Sequence, residues 1–190
     1  MKKILLPIFI FLNLINFSYG NDANQVQIGG IFFGDSLLNY TDEAFIKSQQ
    51  VDYYTNNKYS TSRFSSPSDE FVHIEISYRT DDKDYKIIEL SGFSYLADSC
   101  ENQIKAVSTL YADELFDKKK KEGKRKHPYD KTGESIITGI TYYFKGGVLA
   151  EFQCIDMSKK IEEEGYPDHF IFGIYERKFI EWKRKNVKNL

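Results

Sequence analysis

The sequence predicts an α+β fold: a mainly antiparallel sheet of about six strands, one long helix packed on one face, and a short C-terminal helix. Three observations predict it. Residues 71–78 and 85–96 are strand-like segments joined by the turn Thr80-Asp81-Asp82-Lys83-Asp84. Residues 135–145 and 148–157 repeat that arrangement around Gly146-Gly147, a favoured tight-turn pair. Between the two pairs, Cys100, Ile104, Val107, Tyr111 and Leu115 recur at three- and four-residue steps, one apolar stripe on a helix. Hairpins in pairs with a helix between them are the order of an α+β fold, not of alternating βαβ units.

Taken in order, residues 25–33 form a first strand, loosened at Gly29-Gly30. Gly34-Asp35-Ser36 supplies a turn and a helix N-cap, and residues 37–49 hold one or two short helical segments, with Thr41 a second cap. The polar stretch 54–68 carries at most a short strand at 59–64. In 71–78, Val72, Ile74, Ile76 and Tyr78 share one face, and Phe71, His73, Glu75 and Ser77 the other. Gly92 lies inside the next strand, where a bulge would switch the inward face from Ile88 and Leu90 to Phe93 and Tyr95. Asp98 or Ser99 caps the long helix, which runs to about residue 120, and a polar loop follows to Gly133. Ile136, Ile140, Tyr142 and Phe144 share a face of one strand of the second hairpin. Val148, Ala150, Phe152 and Cys154 share a face of the other. A last strand covers 169–177, and the C-terminal helix carries Phe179, Ile180 and Trp182.

The N-terminus sets the compartment. Lys2 and Lys3 precede an apolar run over residues 4–17, and Ser18-Tyr19-Gly20 ends it with small residues at −3 and −1. That is the layout of a secretory signal peptide, residues 1–20, and the run is too short and too interrupted for a membrane anchor. Residues 21–190 then form one domain, with no second domain, repeat or later membrane span expected. Its 24 Lys+Arg against 28 Asp+Glu give a formal charge of −4. The protein is expected to be exported, periplasmic or extracellular.

Cys100 and Cys154 are the only cysteines. In an oxidising compartment a pair is expected to be bonded. Periodicity places Cys100 on the buried stripe of the helix and Cys154 on the apolar face of its strand. A helix packed on that face brings them together as a structural disulfide. A redox site would more usually show Cys-x-x-Cys.

Ile31-Phe32-Phe33-Gly34-Asp35-Ser36-Leu37 resembles the nucleophile block of the GDSL (SGNH) lipases and esterases, in which an apolar strand delivers Gly-Asp-Ser-Leu with the serine as nucleophile. The resemblance implies Ser36 as nucleophile, activated by a histidine that an acid orients, with donors for the oxyanion. It spans about seven residues. No Gly-x-Asn-Asp follows Ser36, and no Asp-x-x-His precedes the C-terminus: Tyr166 holds that spacing before His169, and Lys124 before His127. The bland role of Asp35-Ser36 is to cap a helix.

Lys118, Lys119, Lys120, Lys121, Lys124, Arg125 and Lys126 place seven cations in nine positions, a candidate anion-binding patch for an anionic envelope surface. Without interleaved aromatics, nucleic acid is not expected as a partner. The alternative is a solvated helix end, where the dipole favours lysine. His73, His127 and His169 lack metal-ligand spacing with one another, and Asp81-Asp82-Asp84 and Glu162-Glu163-Glu164 lack the calcium-loop pattern, so no metal and no cofactor is expected.

With its leader, the Gly-Gly-Ile-Phe-Phe-Gly-Asp-Ser-Leu opening, the helix around Cys100, His127-Pro128 and the strand around Cys154, the chain resembles a group of small exported proteins of AT-rich bacteria that carry no assigned activity. That resemblance implies no function. The residues favour a non-catalytic binding or envelope-associated module, with a GDSL-like serine esterase using Ser36 as the alternative.

Overall fold

Strand alternation builds a single eight-stranded antiparallel sheet, in the spatial order β3-β4-β5-β6-β10-β9-β8-β7. The computed structural model describes residues 22–95, 99–115, 117–128 and 130–187; the expected leader and its cleavage point lie outside them. The fold is α+β. Its strands are β1 (Gln27–Ile28), β2 (Ile31–Phe32), β3 (Gln50–Val51), β4 (Tyr59–Ser65), β5 (His73–Arg79), β6 (Glu89–Tyr95), β7 (Lys119–Lys126), β8 (Ile136–Tyr143), β9 (Val148–Asp156) and β10 (His169–Glu176). The helices are α1 (Glu43–Ser48), α2 (Cys100–Leu110), α3 (Ala112–Leu115), α4 (Lys159–Glu163) and α5 (Arg177–Asn186).

The order describes two meanders, β3 to β6 and β7 to β10, joined where β10 pairs with β6. One face of the sheet carries Ile74, Ile76, Leu90, Ala150, Phe152, Phe170, Phe172 and Ile174. Ile104 and Val107 of α2, Leu115 of α3, and Val26, Phe33, Leu37 and Ile46 of the N-terminal segment close over it. Phe152 and Phe172, on neighbouring strands, stack at 4.5 Å. This is the main core. The opposite face is largely polar and is covered in part by α5, through a smaller cluster of Tyr54, Tyr59, Ile88 and Phe179 with Trp182 packed against it.

The Cys100–Cys154 disulfide is formed, with the two Cα atoms 5.6 Å apart. Cys100 opens α2, Ser99 caps that helix by accepting from the Asn102 amide, and Cys154 lies on the core face of β9. The bond ties the helix to the sheet it covers.

Several expectations need correction. The first strand is instead the β1–β2 hairpin, because Gly29 and Gly30 both adopt positive φ (58° and 80°) and reverse the chain. Gly92 sits in an unbroken register with Ile74 and Phe172. It is there to admit Phe71, whose ring would lie 2.5 Å from an added Cβ, so Phe71 joins the main core and not the face of His73. The long helix ends early: Tyr111 leaves helical geometry (φ −111°, ψ 22°), and α3 adds one turn.

The lysine run is then a strand, not a helix end. Residues 119–126 pair with all of β8, from Lys119↔Tyr143 to Lys126↔Ile136. As a helix the run would stack like charges at i,i+4 and hold Gly123 in its interior, both unfavourable. As an edge strand it supplies the partner that the outer backbone of β8 requires, and it divides its charges between two faces. With β7 and the short β3 added, the sheet has eight strands in place of about six.

Candidate functional site

Ser36 is a cap. Its hydroxyl accepts from the Leu38 amide at 3.2 Å and donates to the Asp84 carbonyl at 2.5 Å, holding the short 3-10 turn of residues 37–39 against the approach to β6. Neighbouring Asp35 accepts from the Tyr40 hydroxyl at 2.7 Å. Both side chains of the Gly-Asp-Ser-Leu block are therefore engaged in local structure. Leu37 is buried in the main core, which ties this block to the face opposite the histidines.

The functional groups gather on the polar face. One register row crosses seven strands as Lys121, Thr141, Glu151, Gly173, Ser91, Glu75 and Arg63. At one end Arg63 donates twice to Glu75 Oε1, at 3.0 and 2.8 Å, and Tyr53 donates to the same oxygen at 2.5 Å. Burial opposes the Glu75 charge, but the Tyr53 hydroxyl, Lys183 and Arg63 overcome it and hold the carboxyl below its ordinary range. Tyr53 is pushed the other way, by burial and then by Glu75.

Two of the three histidines meet here. His73 and His169 flank Phe93, with ring centroids at 4.6 and 4.9 Å, and Tyr95 meets Phe93 edge-on at 5.5 Å. His127 lies close enough for its charge to feel that of His169. All three titrate below the ordinary histidine value, in each case chiefly because burial disfavours the imidazolium. Among the described residues no group of three His, Cys, Asp or Glu side chains is placed to hold a metal ion.

At the other end lies a groove of about 640 Å³, walled by β7 on one side and α5 on the other. Its floor is the outer face of β8 and β9, where Ile137, Tyr143 and Leu149 lie among polar side chains. Thr141 donates to Glu151 at 3.0 Å, and Gln153 donates to the other oxygen of the same carboxylate. Gly123 and Gly139 are register partners, so at that one pair the groove surface is bare backbone. A Cβ on Gly123 would meet nothing within 4 Å, whereas one on Gly139 would strike the Phe152 carbonyl at 2.7 Å. Lys121, Lys124 and Arg125 border this groove with Gly123, while alternation along β7 turns Lys120 and Lys126 to the other face. Lys120 pairs with Glu122 at 2.9 Å, and Lys118, just before the strand, pairs with Asp117.

Helix α5 supplies the second wall. Its Phe179 and Trp182 face the sheet, while Arg177, Glu181 and Arg184 line the groove. Sequence reasoning missed these three, together with Thr141, Glu151 and Gln153. The seven-residue spacing of Arg177 and Arg184, two helical turns, was the available signal. No protein-family model matches the chain, and neither a curated protein nor a solved structure matches it.

Proposed function

We propose that this chain is an exported, non-catalytic binding module of the small-protein group that its sequence resembles, and that it holds its ligand in the groove between α5 and β7. The carrying observation is the groove itself: a cavity of about 640 Å³ with a floor of mixed polar and apolar side chains and two walls, one of them a helix fastened to the sheet from beneath. Small-ligand sites are concave and carry a few convergent polar groups, as this one does. Export is supported by the leader pattern and the disulfide. Among the described residues no helix is long and apolar enough to cross a membrane. The serine-esterase alternative lacks comparable support, since the Ser36 hydroxyl is spent on a cap and a carbonyl.

The test is amide-shift mapping on the ¹⁵N-labelled mature chain with a fragment set spanning neutral, anionic and cationic sugars, amino acids and short peptides. Shifts are expected at Gly123, Gly139 and Thr141, and they should vanish in Gly123→Leu, which projects a bulky side chain from a position where an added Cβ meets nothing within 4 Å. Fragments that perturb only surfaces outside the groove would overturn the assignment. Fluorophosphonate labelling of Ser36 would instead restore the esterase reading.

A further inference from the structure

The chain has five arginines, and they fall into two sets. Arg63 and Arg79 are ion-paired, with Glu75 and Asp81. Arg125, Arg177 and Arg184 form no ion pair among the described residues, and all three line the groove. We infer that the groove takes an acidic oligosaccharide, a hydroxylated chain carrying carboxylate, sulfate or phosphate groups at intervals. The inference rests on the binding-module reading above and names the ligand class of that site.

Three physical features select this class. Guanidinium is the side chain suited to forked recognition of carboxylate and phosphate, and an unpaired one at a concave surface leaves that fork available. The cations are spread along both walls. Lys121 and Arg125 are four residues apart on a strand, about 13 Å. Arg177 and Arg184 are seven apart on a helix, about 10 Å. One phosphate cannot span such a distance; a ligand with two or more anionic groups about 10 Å apart can.

The floor decides between sugar and peptide. The backbone groups of β8 are engaged by β7 and β9, and those of β9 by β8 and β10, so a peptide in the groove finds no free ladder to extend. What remains are side chains: Ile137, Tyr143 and Leu149, and among them the Thr141 hydroxyl, the Gln153 amide and the spare acceptor capacity of Glu151. A hydroxyl can both donate to that carboxylate and accept from the amide. The carboxylates of Glu151 and Glu181 also line the groove and oppose an anion there, so the attraction rests on the three arginines and Lys121.

The experiment titrates the mature protein with four probes: hexagalacturonate, a sulfated heparin hexasaccharide, neutral maltohexaose and hexaglutamate, with inorganic phosphate as a fifth arm. At least one acidic hexasaccharide should shift the groove amides and weaken as salt rises. Arg125→Gln, Arg177→Gln and Arg184→Gln should each weaken it about ten-fold or more, the scale of one charge-assisted hydrogen bond. These side chains are exposed, so the variants should keep their thermal midpoints, and Gly123→Leu should abolish binding. Maltohexaose binding in the groove as tightly as the acidic sugars would sink the inference and leave the module reading standing. Preference for hexaglutamate, phosphate matching a hexasaccharide, or indifference to all three arginine substitutions would also overturn it. No groove binding by any probe would overturn both readings.

Discussion

Lys183 of α5 donates to Glu89 Oε1 at 2.7 Å, bridging the helix to the centre of the sheet with the carboxylate almost wholly buried. The other oxygen, Oε2, ends a hydroxyl relay. Tyr54 donates to Thr61, Thr61 to Ser77 and Ser77 to Glu89, at 2.7, 2.7 and 2.5 Å. Burial works against the Lys183 ammonium, yet Glu89 and the Tyr54 and Glu75 side chains raise its pKa above the ordinary lysine value. Removing one partner of such a pair strands the other charge, so Lys183→Met should cost about 3 kcal/mol in urea unfolding. The double variant Glu89→Gln with Lys183→Met should recover part of that loss. Additive losses in the double variant would show that the two residues are not coupled.

The disulfide closes a loop with a sequence separation of 54. Its removal should cost about 4 kcal/mol, because the unfolded chain regains the freedom of a long loop. Thiol titration of the denatured, non-reduced protein should find none. Cys100→Ala with Cys154→Ala should lower the thermal midpoint as reduction does. Unchanged melting after complete reduction would contradict this.

Acidification should destabilise the fold through His73, His127 and His169. Each has a folded pKa below its unfolded value, about 6.5, so the unfolded chain binds the proton first. The stability is complete above that value and is lost as pH falls through the folded pKa. The charges facing the cluster act in both directions: Arg63 and Arg125 deepen the depression, while Glu75, Asp130 and Asp168 resist it. Urea midpoints measured from pH 8 to pH 5 should therefore decline, and replacing all three histidines with Gln should flatten the decline. A midpoint that rises on acidification would reverse the sign and refute the argument.

How much of this was legible follows from which interactions are local. Ile74, Ile76 and Tyr78, and likewise Ala150, Phe152 and Cys154, announce a buried face at period two, and the structure buries them. The cysteine pair followed from two such assignments together. Strand β7 was not legible, since no local preference makes Lys-Lys-Lys-Glu-Gly-Lys-Arg-Lys extended; the demand comes from the unpaired edge of β8. Gly92 looked like a bulge because the space it leaves is taken by Phe71, far off in sequence. The groove was invisible for the same reason: its walls, β7 and α5, lie about sixty residues apart, and only the insertion of β10 beside β6 brings them onto one face.

Ser36→Ala should cost about 1 kcal/mol, the usual worth of an N-cap, because it removes the acceptor for the Leu38 amide and the bond to Asp84. It should leave groove binding unchanged. Fluorophosphonate labelling of the native protein that disappears in this variant would contradict the capping role.

The lysines of β7 have a second consequence, for association. All eight residues of this strand are exposed, and among the described residues only one side of it is paired, with β8. A long bare edge invites pairing with another chain, and lysine blunts it. Replacing Lys119, Lys120, Lys124 and Lys126 with Thr spares Lys121 and Arg125 in the groove and supplies better strand formers. Two arguments then oppose each other. Residues 21–190 move from a formal charge of −4 to −8, and greater net charge should oppose association. The edge, in contrast, loses the charges that kept other strands away. Because edge pairing is short-range and directional while net repulsion is screened beyond about 8 Å at physiological salt, the edge effect should prevail. Light scattering at 37 °C should show concentration-dependent association of the variant and not of the native protein. If the variant stays as dispersed as the native chain, the lysines do not guard the edge, and their place on β7 has another cause.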